Sequence, residues 1–254
     1  MKTLRLNAVD ISNGHLILVN PSHPLKSGMP EEQLVPVRPD FPHILLKQQA
    51  TKMLAEITAF LGCGHEIVPV SGYRTMREQQ EIYSDSLRVN GEGFTQKYVA
   101  IPGCSEHQTG LAVDLAENRD AIDFIRPDFP YTGMCGRFRD FSAQYGFIER
   151  YPAGREQITR IAHEPWHFRY VGYPHSEVIK EKEVTLEEYT DYLKQFPFQG
   201  NHLCFKSHWR DFEIFYVPIR GNQEAIVEIP DGIPYQISGN NEDGVVITLW
   251  REQL

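Results

Sequence analysis

Hydrophobic residues along this chain recur at two spacings, and the alternation between them outlines its elements. Leu46, Ala50, Met53, Ile57 and Leu61 lie three or four residues apart, the period of a helix with one buried face, and Gly62 and Gly64 end the run. Ile17-Leu18-Val19 predicts a first short strand, ahead of a loop rich in proline and polar residues. Glu66 to Val70 predicts another, and Pro69, which has no N–H for a ladder, makes it an edge or irregular strand. Thr75 and Glu78 form a capping-box pair, so a helix starts there with Gln79 in its first turns. Residues 86–104, carrying Gly91, Gly93, Pro102 and Gly103, read as a long polar connection bordering a cleft. Leu111-Ala112-Val113-Asp114-Leu115 is short, apolar and β-prone, and predicts a buried strand. A helix near Arg137 to Tyr145 should follow, then a strand or turn at Phe147-Ile148-Glu149 and a strand at Phe168-Arg169-Tyr170-Val171-Gly172.

After about residue 182 the character changes. Thr185 and Glu188 repeat the capping-box signal ahead of a short helix to about Phe196. From residue 211 come β-like runs at Phe212–Val217 and Val245–Leu249, with turn signals at Gly221-Asn222, Asp231-Gly232 and Gly239-Asn240. The chain is therefore divided into residues 1–182 and an extension, 183–254, whose expected contribution is modulation, packing or self-association as a homodimer rather than chemistry.

Charge removes one class of partner. Lys and Arg number 25 against 34 Asp and Glu, a net charge of −9 with no basic run, so nucleic acid is not expected to bind. The N-terminal residues lack the apolar run of about 7–15 that a secretory signal needs, and no stretch approaches the roughly 18 required to span a bilayer. A cytoplasmic protein is expected. Cys63, Cys104, Cys135 and Cys204 are widely spaced, without a CxxC pair, and should be free thiols in a reducing compartment.

The chemistry concentrates in two segments, Ser105-Glu106-His107-Gln108-Thr109-Gly110-Leu111-Ala112-Val113-Asp114 and Glu164-Pro165-Trp166-His167. A carboxylate inside a buried strand is costly unless paired or bound to a cation. Gly110 allows a sharp bend that folds His107 back toward Asp114. Alone, each would read as a surface histidine and a salt-bridged aspartate; the pair together with His167 reads as a catalytic zinc site, with three protein ligands, an open position for water, and Glu164 as the base. His163-Glu164-Pro165-Trp166-His167 also matches HExxH, but Pro165 excludes a helix that would align His163 and His167 on one face. His163 is left as a hydrogen-bonding or surface residue, and Cys104 as structural.

The SxHxxGxAxD pattern at 105–114, Glu-Pro-Trp-His at 164–167, and Ser71-Gly72-Tyr73-Arg74-Thr75 with Gln79 resemble the motifs of the D-alanyl-D-alanine metallopeptidases over roughly residues 15–175. Within that family the chain is similar to the VanXY-type enzymes of vancomycin resistance, its extension resembling the longer VanXY-G type. The resemblance implies an α+β fold, a mixed, mostly antiparallel central sheet flanked by helices with a zinc cleft, the tail forming a helix-and-meander unit. It implies one Zn2+ per chain and hydrolysis of D-Ala-D-Ala and of UDP-muramyl pentapeptide ending in it. It places Arg74 on the oxyanion, makes Ser105 and Gln79 candidates for the substrate carboxylate, and gives Tyr73 and Trp166 to the cleft wall. Three alternatives stay open: a silent binding module on the same zinc fold, as in hedgehog domains; a structural zinc protein; and a peptidase of other stereospecificity. Glu164 and Arg74 count against the first, and three ligands with a base rather than four ligands count against the second.

Overall fold

The first strand is not Ile17–Val19 but β1, Lys2–Leu6, in which Leu4 and Leu6 are buried and Thr3 and Arg5 exposed. In the computed structural model, which describes residues 1–26, 28, 30–207, 210–221 and 223–252, Ile17, Leu18 and Val19 are buried without joining a ladder. Leu18 is tied instead to Asn240 and Asn241 through its backbone N–H and C=O. The chain divides into two units, residues 19–185 and a second unit made of 1–18 with 186–254. Residues 1–18, which a linear division puts with the catalytic stretch, cluster with the extension.

The unit 19–185 opens with the hairpin β2 (Leu34–Pro36) and β3 (Leu45–Lys47). Leu46 belongs to β3, so α1 (Gln48–Leu61) begins just after it and buries Ala50, Leu54, Ile57 and Leu61. Gly62 ends α1 with φ 67°, its N–H bonding back to the carbonyls of Ala59 and Thr58. β4 (Ile67–Ser71) is an edge strand with a register shift between Pro69 and Ser71, the irregularity that Pro69 forecast. α2 (Met76–Asn90) starts with the complete capping box: Thr75 Oγ1 accepts from the Glu78 N–H, and the Thr75 N–H donates to the Glu78 carboxylate at 2.7 Å.

The long connection expected at 86–104 is mostly helix, because α2 continues to Asn90 and α3 (Glu92–Tyr98) follows. Gly91, at φ 80°, is the joint between two helices rather than a loop residue, and buried Ser86 and Thr95 hydroxyls 2.7 Å apart hold the pair together. Then come β5 (Ala112–Glu117), α4 (Gly133–Ser142), β6 (Phe147–Tyr151), the single turn α5 (Glu156–Thr159), β7 (Glu164–Tyr170) and α6 (His175–Lys182). The sheet order is β4-β5-β7-β6, every pairing antiparallel, so the expected mixed sheet is antiparallel among the described residues. Phe129, Phe138 and Phe168 pack edge to face at 5.1–5.9 Å behind it. All three are essentially fully buried. Each such side chain contributes about 1.5–3 kcal/mol.

The second unit contains α7 (Leu186–Leu193), β8 (Leu203–Lys206), β9 (Asp211–Pro218), β10 (Ala225–Ile229), β11 (Tyr235–Gly239) and β12 (Gly244–Arg251). Its own sheet runs β11-β12-β9-β8, while β1 pairs with β10, Leu4 opposite Val227. Leu4, Leu6, Phe215, Val227 and Ile247 share its core. The Gly239-Asn240 turn forms as expected, the Asn240 side-chain oxygen accepting from the N–H groups of Glu242, Asp243 and Gly244. Of the turn expected at Gly221-Asn222, the second residue lies outside the described residues. The fold is α+β, with two antiparallel four-stranded sheets, one in each unit.

Candidate metal centre and active site

Sheet register assembles the centre. Asp114 on β5 lies opposite His167 on β7 and Ser71 on β4, and directly opposed residues project to the same face. His107 arrives from a 3-10 turn, Glu106–Thr109, rather than an open loop; Gly110 closes the turn at φ 66° with its N–H on the His107 carbonyl. One ligand atom each from His107, Asp114 and His167 lies within 4.8 Å of the others, and all three residues are buried. His107 Nε2 is 3.1 Å from Asp114 Oδ2 and His167 Nδ1 3.0 Å from Oδ1, the two rings standing nearly perpendicular with centroids 5.0 Å apart. Asp114 Oδ1 nevertheless lacks a hydrogen bond. Two imidazole nitrogens and a carboxylate oxygen converging on a buried point, one oxygen unsatisfied, suit a transition-metal cation such as zinc.

The electrostatics agree. Burial opposes ionisation of Asp114, but His107 and His167 hold its carboxyl well below the usual range. Burial, assisted by the Arg74 charge, pushes the His107 imidazole down, favouring its neutral ligand form. Its Nδ1 faces the Gly72 carbonyl at 2.7 Å; that partner assigns the proton to Nδ1 and frees Nε2. Burial works against protonation of His167 too, but Asp114, Glu106 and Glu164 overcome it and raise the group to about 9. Glu164 is raised to about 8 by burial, with Asp114 and Glu106 adding to the effect and His167 and Arg74 opposing it.

The remaining residues singled out in the sequence fall in three places. Arg74, Ser105, Glu164 and Trp166 line the same cleft as the ligand cluster, together with Phe124, Ile125 and Tyr151. Arg74 bonds Asp114 Oδ2 at 3.1 Å and Ser71 Oγ through two nitrogens at 3.0 and 2.8 Å, so its fork is held in place. Glu164 Oε2 is 3.7 Å from His167 Nδ1. Gln79 stands behind Arg74: it is fully buried, its amide donates to the Ala100 carbonyl at 2.8 Å, and its oxygen faces Arg74 Nη1 at 3.5 Å. Tyr73 is placed by its N–H on the Leu45 carbonyl and is not among the cleft-lining residues. His163 faces Tyr131, 2.7 Å from its hydroxyl, and does not belong to the ligand cluster. Cys104 is a free thiol, also outside that cluster.

The sequence reading missed Glu106, Arg150 and Arg169, a buried ion cluster directly behind His167. A usable signal was present. Arg169 lies between Phe168 and Tyr170-Val171 in an otherwise apolar stretch, and a charge there demands a partner for the same reason that Asp114 does.

Comparison with known proteins agrees with this geometry. Residues 43–173 match the VanY family, described as D-alanyl-D-alanine carboxypeptidase. The bifunctional D-Ala-D-Ala dipeptidase and carboxypeptidase VanXYC of Enterococcus gallinarum is 43% identical over 182 residues, 71% of this chain and 95% of that protein. A D-alanyl-D-alanine carboxypeptidase of Enterococcus faecium is 31% identical over 94% of this chain and 76% of its own length. The crystal structure of the vancomycin resistance D,D-dipeptidase VanXYg, in complex with a D-Ala-D-Ala phosphinate analog, superposes with a TM-score of 0.95 at 49% identity, covering 98% of this chain and 99% of that one. With the family match enclosing Arg74, the ligand cluster and Glu164, and relatives aligned along nearly the whole chain, the protein belongs to the VanY family of D-alanyl-D-alanine carboxypeptidases.

Proposed function

We propose that this chain is a zinc-dependent D,D-peptidase of the VanXY type, which hydrolyses D-Ala-D-Ala and removes the terminal D-Ala from peptidoglycan precursor pentapeptides, and thereby contributes to vancomycin resistance. The observation that carries the reading is the buried His107–Asp114–His167 cluster sharing one cleft with Glu164 and Arg74, in a chain this similar to VanXYg. His107, Asp114 and His167 would hold one Zn2+, which when bound would supply Lewis acidity toward the scissile carbonyl and toward a water. Glu164 takes a proton from the attacking water and returns it to the leaving amine. Arg74, pinned by Ser71 and Asp114, presents an always-charged guanidinium to the developing oxyanion. Ser105 is the donor for the substrate's terminal carboxylate, Gln79 acts through Arg74, and Trp166 shapes the wall. No helix among the described residues is long and apolar enough to cross a membrane, and a cytoplasmic enzyme would meet soluble precursors rather than assembled wall.

A coupled assay for D-alanine release tests this. kcat/KM is measured for D-Ala-D-Ala, a muramyl pentapeptide ending in it, and L-Ala-L-Ala, with and without chelator. Chelator-sensitive cleavage of the first two is expected. Faster cleavage of the L,L dipeptide would overturn the stereospecificity, and cleavage of the dipeptide alone would reduce the activity to a dipeptidase.

A further inference from the structure

Glu106 precedes a ligand in sequence yet turns its carboxylate toward a different partner. Its side chain is fully buried, and Oε1 accepts from Arg150 Nε and Arg169 Nη1, each at 2.7 Å, from guanidiniums that are themselves fully buried. The arginines come from β6 and β7, 44 and 63 residues away in the chain. Oε2 lies 3.5 Å from His167 Nε2, and neither of these two atoms has a hydrogen-bond partner. Burying a carboxylate with two guanidiniums costs several kcal/mol per ion in desolvation, and well-packed apolar side chains would serve stability at least as well. The cluster therefore calls for a role beyond holding the strands together.

We infer that Glu106, clamped by Arg150 and Arg169, is a positioning residue for the metal centre: Oε2 accepts the Nε2–H of His167 and holds the ring so that Nδ1 faces Asp114 and His107. The inference rests on the metal reading of the site. His107 shows the complementary arrangement, with Nδ1 on the Gly72 carbonyl and Nε2 toward Asp114. One imidazole thus leans on a backbone carbonyl and the other on a side-chain carboxylate, the two outer partners that fix a ligating ring's orientation. Two guanidiniums on Oε1 hold the carboxylate in place, so Oε2 stays turned toward His167 Nε2. A Glu106 that merely neutralised the arginines would affect the stability of the metal-free protein and leave metal affinity alone.

The test uses full-length protein and zinc as the probe. Zinc affinity is measured by competition with a chromophoric chelator for wild type and Glu106→Gln, alongside cobalt(II) absorption spectra and thermal melts of the metal-free forms. Glu106→Gln should bind zinc about 10–100-fold more weakly, the range for a lost outer-shell partner, with an altered cobalt spectrum. A folded variant with wild-type affinity and spectrum overturns the inference, however much its melting temperature has moved. If Glu106→Gln does not fold, nitrogen NMR of histidine-labelled, zinc-loaded wild type decides: His167 should carry its proton on Nε2, and an unprotonated Nε2 overturns the inference. Wild type that binds no zinc would refute the underlying metal reading instead.

Discussion

Replacing Gly110 by alanine, with Gly62→Ala as its partner, separates backbone strain from crowding at the metal centre. Both glycines are left-handed, at φ 66° and 67°. A left-handed L-residue costs roughly 1–2 kcal/mol, so both variants should lose that much. A methyl group at Gly62 meets nothing within 4 Å; at Gly110 it meets Leu34 Cδ2 at 2.7 Å and the backbone nitrogen of Lys47 at 3.3 Å. Leu34 can swing away cheaply. Lys47 cannot, because its N–H bonds the Gly110 carbonyl at 2.8 Å and the methyl would press on that nitrogen. Overpacking of this kind adds about 1–3 kcal/mol, which puts Gly110→Ala at about 2–5 kcal/mol in total. Each kcal/mol shifts the melting temperature by about 2–4 °C in a protein of this size. Calorimetry of the metal-free proteins should therefore show Gly110→Ala melting at least a few degrees below Gly62→Ala. Because Gly110 sets the path from His107 to Asp114, zinc affinity should fall in Gly110→Ala and hold in Gly62→Ala. Equal melting temperatures and equal zinc affinities would refute the reasoning.

Elemental analysis of purified protein should find about one zinc per chain, and His107→Ala or His167→Ala should lose most of it; full retention in both would remove them as ligands. Glu164→Ala should keep its metal and fold while turnover falls at least about 10²-fold, and near-normal turnover would take Glu164 out of the mechanism. Burial, with Arg169 adding repulsion, brings the Lys47 ammonium down to about 8. Between about 8 and the ordinary lysine value near 10.4 the unfolded chain binds the extra proton, so Lys47's contribution to stability rises with pH across that window. Lys47→Met should therefore melt higher than wild type at pH 7 by a margin that shrinks toward pH 10, and a margin independent of pH would contradict the assignment.

What the sequence displayed was local. Thr75 with Glu78, Pro69 at a sheet edge, and Asp114 in an apolar run each carry their consequence within a few residues, and the structure realises all three. Pro165 excluded the helical HExxH reading for the same reason, and Glu164 begins a strand. Long-range partners stayed hidden. Nothing adjacent to Glu106 reveals that Arg150 and Arg169 will meet it, and nothing in Gln79 shows that its amide turns inward to Ala100 rather than toward the cleft. The 86–104 segment misled because glycine marks both loops and joints between helices, and the Ser86–Thr95 contact that decides between them is tertiary. β1 was overlooked although Leu4 and Leu6 alternate with polar residues, since five residues do not form a sheet until β10 is present.

The pairing of β1 with β10 also bears on the order of assembly. Lys2 lies opposite Ile229, 229 − 2 = 227 positions along the chain. A ribosome releases the first strand long before its partner, and contacts so distant in sequence are slow to form. Residues 19–185, which contain every proposed catalytic group, have all emerged by then. The catalytic unit thus has the opportunity to assemble co-translationally, whereas the other unit must wait until β10 has emerged, leaving the apolar side chains of Leu4 and Leu6 in need of shelter meanwhile.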